Sequence, residues 1–251
     1  MTPPVVLSIA ATDSGGGAGL AADLATFAEL GVHGACVVTA VTAQDTEGVR
    51  AIHPIPIDMV AAQLDAVLDD LPVAVVKTGM LATPEVVRLV ATRCAGLRIV
   101  VDPVLQATSG ARLADDATIA AYRDALLPAA YVVTPNRSEA AALGPFPTSA
   151  VVTGSETGAD VLQMPGLDPM TFRHEQSVTE NDHGTGCTFS AALAGYLALG
   201  IDLPGAVRLA GAFTASHLRA SQTWDLGRGR GPIAHTILRP RIHARPTGEF
   251  R

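Results

Sequence analysis

The chain has 251 residues, of which 48% are apolar and only 4% aromatic, and its formal charge is −7. That charge argues against a nucleic-acid surface, which needs a basic field to offset phosphate, and the length suits one sizeable α/β domain with a core of Ala, Val and Leu. Three widely spaced cysteines, Cys36, Cys94 and Cys187, without CxxC or CxxH patterns, indicate neither a disulfide framework nor a zinc site.

Short apolar runs alternate with helix-like stretches. VVLSIA (5–10) precedes GLAADLATFAEL (19–30), GACVVTAVTA (34–43) precedes MVAAQLDAVLDDL (59–71), and VAVVKTG (73–79) precedes TPEVVRLVATRC (83–94). The order continues with RIVVDPV (98–104), DDATIAAYRDALLP (115–128), AYVVTPN (130–136), SEAAALG (138–144) and SAVVTG (149–154). Continuous buried strands between amphipathic helices predict an α/β fold, a mostly parallel sheet with helices on both faces. Residues 134–149 leave room for only a short helix, because a parallel crossover needs about 10–12 residues. Residues 154–176 read as irregular, and 187–200 and 204–220 read as two helices. One domain is expected over 1–238, followed by a poorly ordered Pro- and Arg-rich tail, 239–251, whose basic charge reads as solvated. No apolar run approaches the roughly 20 residues of a membrane span. No Lys or Arg precedes Arg50 to make the basic region of a signal peptide. A soluble, cytoplasmic protein is expected, with no membrane partner.

Two glycine-rich turns open helices. In NDHGTGCTFSAALAG (181–195), glycines permit tight backbone geometry, and the free N–H groups of the first helical turn, with the positive end of its dipole, suit a phosphate. Cys187 at that turn has two readings: a thiol whose pKa is lowered by the helix start, or a small apolar packing residue. The other turn, ATDSGGGAGLAADLATF (11–27), has neither the GxGxxG spacing of a dinucleotide site nor the GxxxxGKS of a P-loop. Its Asp13 and Asp23 are ligand contacts or helix caps. Asp102 and Glu139 follow predicted strands, where open α/β sheets place ligands. Carboxylates there suit Mg²⁺ and phosphoryl transfer, with helix capping the alternative for Glu139.

The ordered blocks ATDSGGGAGLAADLATFAELGVHG, VTAVTAQDTEGV, VKTGML, VVDPV, TPNRSEAAAL, NDHGTGCTFSAALAGYLALG and LGRGRGPIAH resemble the ribokinase-like superfamily. Within it they resemble the hydroxymethylpyrimidine and phosphomethylpyrimidine kinases of thiamine biosynthesis. The resemblance covers nearly the whole chain to His235. It implies ATP as phosphate donor, Mg²⁺, a pyrimidine acceptor and a homodimer. It implies further that Cys187 assists removal of the acceptor proton while Gly184, Thr185, Gly186 and Cys187 form an anion hole. The pyrimidine would lie near Asp23 and Gln44, with Met80 and Val104 as apolar lining. Asn136 and Glu139 match the superfamily's NxxE motif for Mg²⁺ and phosphate, and Asp102 joins Glu139 as a metal candidate.

The chain departs from the family pattern where ATSGA (107–111) and VTGSE (152–156) replace AKSGD and VKGGH, so that Thr108 and Thr153 stand in for lysines. Thr153 matches the hydroxyl residue other superfamily members carry near this strand, and Arg137 is the candidate replacement cation for the nucleotide. A pyridoxal kinase is the alternative enzyme. A noncatalytic pyrimidine-binding protein with a degenerate nucleotide site is the alternative of another class.

Overall fold

The computed structural model describes residues 2–107, 110–154, 158–175, 177 and 179–236. The tail 239–251 and Thr108 lie outside them. An eight-stranded sheet runs through the molecule in the order β10-β9-β8-β7-β6-β5-β1-β2, where β9 is Ala159–Gln163 and β10 is Met170–Arg173. Its parallel strands are β1 (Val5–Ala10), β2 (His33–Val38), β5 (Val73–Thr78), β6 (Arg98–Val101), β7 (Val132–Val133) and β8 (Ser149–Val152).

The sheet has a core on each face, and the period-two alternation of the strands decides which side chains enter which. Val5, Leu7 and Ile9 of β1, with Val76, Ile99 and Val101, pack under α2 (Ile57–Leu68) and α3 (Pro84–Arg93). The same face is covered by α4 (Asp116–Ala121), which continues through one π-helical turn (Tyr122–Leu126) into α5 (Leu127–Ala129). Val6, Val75, Val100, Val132 and Val151 face the other way, onto α1 (Gly19–Leu30), α7 (Thr185–Ala198) and α8 (Leu203–Ala220). In α7, Ala191, Ala192 and Ala194 are all fully buried, and these small side chains let the helix run close against α1 and the sheet. Between β7 and β8 the expected short crossover is α6 (Arg137–Leu143).

Two segments differ from the sequence reading. Residues 34–43 are not one strand: the run breaks at Thr39, whose N–H donates to Ala10 O (3.0 Å) and whose hydroxyl donates to Met80 O (2.6 Å). The chain then enters β3 (Ala40–Asp45), which pairs with β4 (Gly48–Pro54) as a separate antiparallel hairpin. Asp45 Oδ1 closes the connecting turn by accepting from the N–H groups of Glu47 (3.0 Å) and Gly48 (3.2 Å), an Asx turn. Residues 154–176 are not irregular throughout, for they contain β9 (Ala159–Gln163) and β10 (Met170–Arg173), which extend the sheet antiparallel beyond β8. Among the described residues no helix is long and apolar enough to cross a membrane.

Candidate active site

All the parallel strands end at one edge of the sheet, so the segments that follow them converge. Asp13 beyond β1, Met80 after β5, Val104 after β6, Asn136 after β7 and Thr153 after β8 line one cleft of about 780 Å³. The β3–β4 hairpin contributes Gln44, and the first turn of α7 contributes Gly184, Thr185, Gly186 and Cys187.

The start of α7 is set by Gly184, its N-cap, in the left-handed region at φ 88°. A Cβ there would lie 1.8 Å from Gly17 O, so glycine is required both by the backbone and by the approach of the first glycine-rich loop. Thr185 N–H returns to Asp182 O (3.2 Å) and Thr188 N–H to Gly184 O (2.8 Å). The intervening N–H groups of Gly186 and Cys187 have no partner to take within the helix and are available to an anion.

The Cys187 thiol does not have the low pKa expected at a helix start. Burial pushes it up to about 12, and Asp102 and Asp23 add to the shift; Lys77 and the Gly19 N–H act against it. The desolvation of a half-buried sulfur above two carboxylates outweighs the helix-start effect, so the resting group is a thiol.

Beneath this turn lies a buried polar floor. Ser8, Lys77 and Asp102 occupy the strand positions that face α1 and α7. Lys77 Nζ donates to both oxygens of Asp23 on α1 (2.8 and 2.8 Å) and lies 4.0 Å from Asp102 Oδ2. Ser8 Oγ donates to Asp23 Oδ2 (2.5 Å) and Ser190 Oγ to Asp102 Oδ2 (2.8 Å). Burial alone would lower the Lys77 pKa, but Asp23, with Cys187 and Asp102, raises it well above the usual lysine range. Asp23, placed by resemblance beside the pyrimidine, is fully buried and does not line the cleft: Lys77 and Ser8 hold it in the floor. Asp13 is the acidic residue of that loop which does reach the cleft.

At this end of the cleft His183, which sequence reasoning did not single out, joins Asp13 and Gln44. Its Nε2 lies 2.9 Å from Asp13 Oδ2 and 3.2 Å from Gln44 Nε2. Asp13 also accepts from the N–H groups of Gly15 (2.8 Å), Gly17 (3.1 Å) and Ala18 (2.9 Å). Burial would raise its pKa, but the His183 bond and the loop N–H groups hold it below the usual carboxylate value. His183 is fixed in turn by the C-terminal block: its N–H donates to Gly231 O (3.0 Å), and Ile233 N–H donates to its carbonyl (3.0 Å). The signal available in sequence was its place beside Gly184 in DHGTG and the presence of LGRGRGPIAH as a separate block.

Across the cleft, Asn136 caps α6 in a capping box. Its Oδ1 accepts from Glu139 N–H (2.9 Å), and Glu139 Oε2 accepts from Asn136 N–H (2.9 Å). Glu139 therefore both caps and lines the cleft. Burial, with Asp102 nearby, pushes its pKa up to about 7. Burial also raises Asp102, against the opposing pull of Lys77 and Ser190. Thr153 is joined to Asn136 through an isolated parallel bridge, its N–H donating to Pro135 O (2.9 Å). Arg137, the candidate cation, is exposed at the start of α6 and does not line the cleft. Near Thr153, His174 Nε2 pairs with Asp160 Oδ2 at 2.6 Å.

No Lys or Arg is among the described residues lining the cleft, whereas Asp13, Asp102, Glu139, Asp160, Glu175 and Asp182 are. Among the described residues no group of three or more His, Cys, Asp and Glu side chains is arranged to hold a metal by itself. The pair Glu139 and Asp102 nevertheless fits Mg²⁺, a hard cation commonly held by one or two carboxylates together with water and substrate phosphates.

A mostly parallel sheet with a cleft at its carboxyl edge, and a glycine-flanked helix start aimed into that cleft, define a ribokinase-like small-molecule kinase. The sequence matches the family described as phosphomethylpyrimidine kinase over residues 13–151 and 147–234. The chain belongs to that family. It is 42% identical to the hydroxymethylpyrimidine/phosphomethylpyrimidine kinase of Rhizobium meliloti, over 92% of this chain and 96% of that protein. Its fold is similar to that of the pyridoxal kinase from Staphylococcus aureus in complex with pyridoxal (TM-score 0.82, 30% identity, 94% of each chain). It is also similar to the phosphomethylpyrimidine kinase from Clostridium difficile (TM-score 0.72, 31% identity, 83% of this chain and 96% of that one).

Proposed function

We propose that the protein transfers the γ-phosphoryl group of ATP to 4-amino-5-hydroxymethyl-2-methylpyrimidine, to its monophosphate, or to both, as a step of thiamine biosynthesis. The observation that carries this reading is that one cleft joins the unpartnered N–H groups of Gly186 and Cys187 to an amide, Gln44, suited to an aminopyrimidine edge. Met80 and Val104 supply apolar walls for the ring.

The acceptor oxygen attacks the γ-phosphorus in line as the bond to the ADP oxygen breaks. The Gly184–Cys187 backbone stabilises charge on the transferring group. Cys187 rests as a thiol and accepts the hydroxyl proton only after giving its own proton to solvent, so positioning and charge stabilisation dominate a loose transition state. Asn136 and Thr153 hold the nucleotide end. Glu139 and Asp102 would hold Mg²⁺, which when bound neutralises phosphate charge in a cleft whose described lining has no cationic side chain of its own.

Cys187→Ala is expected to lower kcat by about 10²–10⁴ with KM for the pyrimidine changed only a few-fold. A much smaller loss removes Cys187 as the base and leaves the anion hole as the principal device. Pyridoxal is the second acceptor, favoured by the likeness to pyridoxal kinases. Competition between the two acceptors decides, and faster turnover of pyridoxal would displace the pyrimidine reading. The family resemblance also supports a homodimer, which light scattering of the purified chain tests.

A further inference from the structure

The block LGRGRGPIAH (226–235) ends inside the molecule, behind the first turn of α7, where Ile233 and Ala234 are buried. On one side of this segment His183 N–H donates to Gly231 O (3.0 Å) and Ile233 N–H to His183 O (3.0 Å). On the other side Ala234 N–H donates to His217 O, in the last turn of α8 (3.4 Å), and His217 Nδ1 donates to Ala234 O (2.5 Å). A Cβ on Gly231 would lie 1.8 Å from Asn181 Oδ1. Asn181 cannot withdraw, because its Nδ2 donates to Ser221 O (2.8 Å) and Trp224 O (2.9 Å).

The segment delivers His235 to α7. Its Nε2 lies 2.9 Å from Thr188 Oγ1, which in turn lies 2.9 Å from Gly184 O. A hydroxyl carries one hydrogen and a carbonyl oxygen none. Were that hydrogen turned towards His235, two oxygens would face each other at 2.9 Å with lone pairs alone. The hydrogen therefore goes to Gly184 O, and His235 Nε2 must carry a hydrogen of its own and donate it to Thr188 Oγ1. The contacts form one directed chain, from His235 through Thr188 to the carbonyl of the N-cap residue, which also accepts Thr188 N–H (2.8 Å). Thr188 is fully buried, and neither it nor His235 lines the cleft.

We propose that residues 231–235 are the rear support of the anion hole and that His235 is a positioning residue, acting through Thr188 on Gly184. Gly184 has no side chain to restrain the peptide that follows it. Two hydrogen bonds to its carbonyl hold that peptide from behind, and with it the turn from which the Gly186 and Cys187 N–H groups project into the cleft. This inference rests on the phosphoryl-transfer reading given above.

Two measurements on the full chain test it. NMR of the imidazole nitrogens at neutral pH should find hydrogen on His235 Nε2, and a bare Nε2 would reverse the chain and overturn the proposal whether or not the protein is a kinase. In kinetics, His235→Leu and Thr188→Val should each lower kcat by about 10- to 100-fold, since displacement of a catalytic group by about 1 Å suffices for such a loss. KM for the pyrimidine should stay within a few-fold of wild type. The double variant should be no worse than either single one, because both cut the same chain. His235→Gln, whose amide nitrogen can donate to the hydroxyl, and Thr188→Ser should restore most of the turnover. A merely structural role would lower Tm and leave kcat of the folded protein unchanged, or give losses that multiply in the double variant, and either result would overturn the proposal while leaving the kinase function standing. Should His235→Leu not fold, Thr188→Val against Thr188→Ser makes the same comparison at the middle of the chain. Phosphoryl transfer to neither acceptor by folded wild type would refute both readings.

Discussion

Lys77, the chain's single lysine, is removed from any direct contact with substrate by its complete burial, and its loss should register first as stability. In Lys77→Met a side chain of similar length fills the space, but Asp23 keeps only the Ser8 hydroxyl and Asp102 only the Ser190 hydroxyl. Breaking a buried ion pair from one side costs about 3–5 kcal/mol, because the remaining charge must stay desolvated or take up a proton. In a domain of this size each kcal/mol moves Tm by about 2–4 °C, so a fall of roughly 10 °C is expected. Lys77→Met with Asp23→Leu should recover most of the loss, since apolar replacement of an entire buried pair is often neutral. Urea and thermal unfolding of wild type, both single variants and the double variant form the cycle that isolates the coupling. A Lys77→Met protein within about 1 kcal/mol of wild type, or a double variant no better than the single, would refute the reading of Lys77 as the charge that holds the floor together.

Acid sensitivity should track His235. Burial, with His217 and His183 beside it, lowers its pKa from 6.5 to about 4. The unfolded chain therefore binds a proton that the folded chain refuses between these values. The stability contributed by neutral His235 is present above about pH 6.5 and is lost as pH falls towards 4, by at most about 3 kcal/mol. Urea midpoints measured from pH 7 to 4.5 should fall less steeply for His235→Gln, and equal slopes would exclude His235 as the cause. Gly184→Ala should cost at least about 1 kcal/mol in backbone strain alone, and more from the clash with Gly17 O. By displacing the N–H groups of the anion hole it should lower turnover by about 10² or more. Wild-type turnover in that variant would show that those groups do not bind the transferring phosphoryl.

The glycine-rich turns, the uninterrupted Val runs and the short crossover were legible because each is a property of neighbouring residues. They sufficed to predict the α/β class, the parallel strands and the position of the first turn of α7. The break at Thr39 was not legible, because β2 and β3 form one continuous apolar run and the turn is imposed by bonds to Ala10 and Met80. Strands β9 and β10 were also missed: β10 is short and mostly exposed, and it exists by pairing at the sheet's edge rather than by an apolar pattern of its own.

The same division runs through the site. Local pattern selected Cys187, Gly184 and Glu139, the family resemblance added Gln44 and Asn136, and the cleft gathers all of them. It could not distinguish Asp13 from Asp23, nor foresee that Asp23 would be taken by Lys77, nor that Cys187 would rest as a thiol above two carboxylates. Most of the element order and the glycine-rich turn that opens α7 were determined by the sequence itself, through backbone geometry and periodicity. Which charges are buried, and what each one faces, was decided only by the tertiary structure, because desolvation and Coulomb interaction depend on neighbours that the fold brings together from distant parts of the chain.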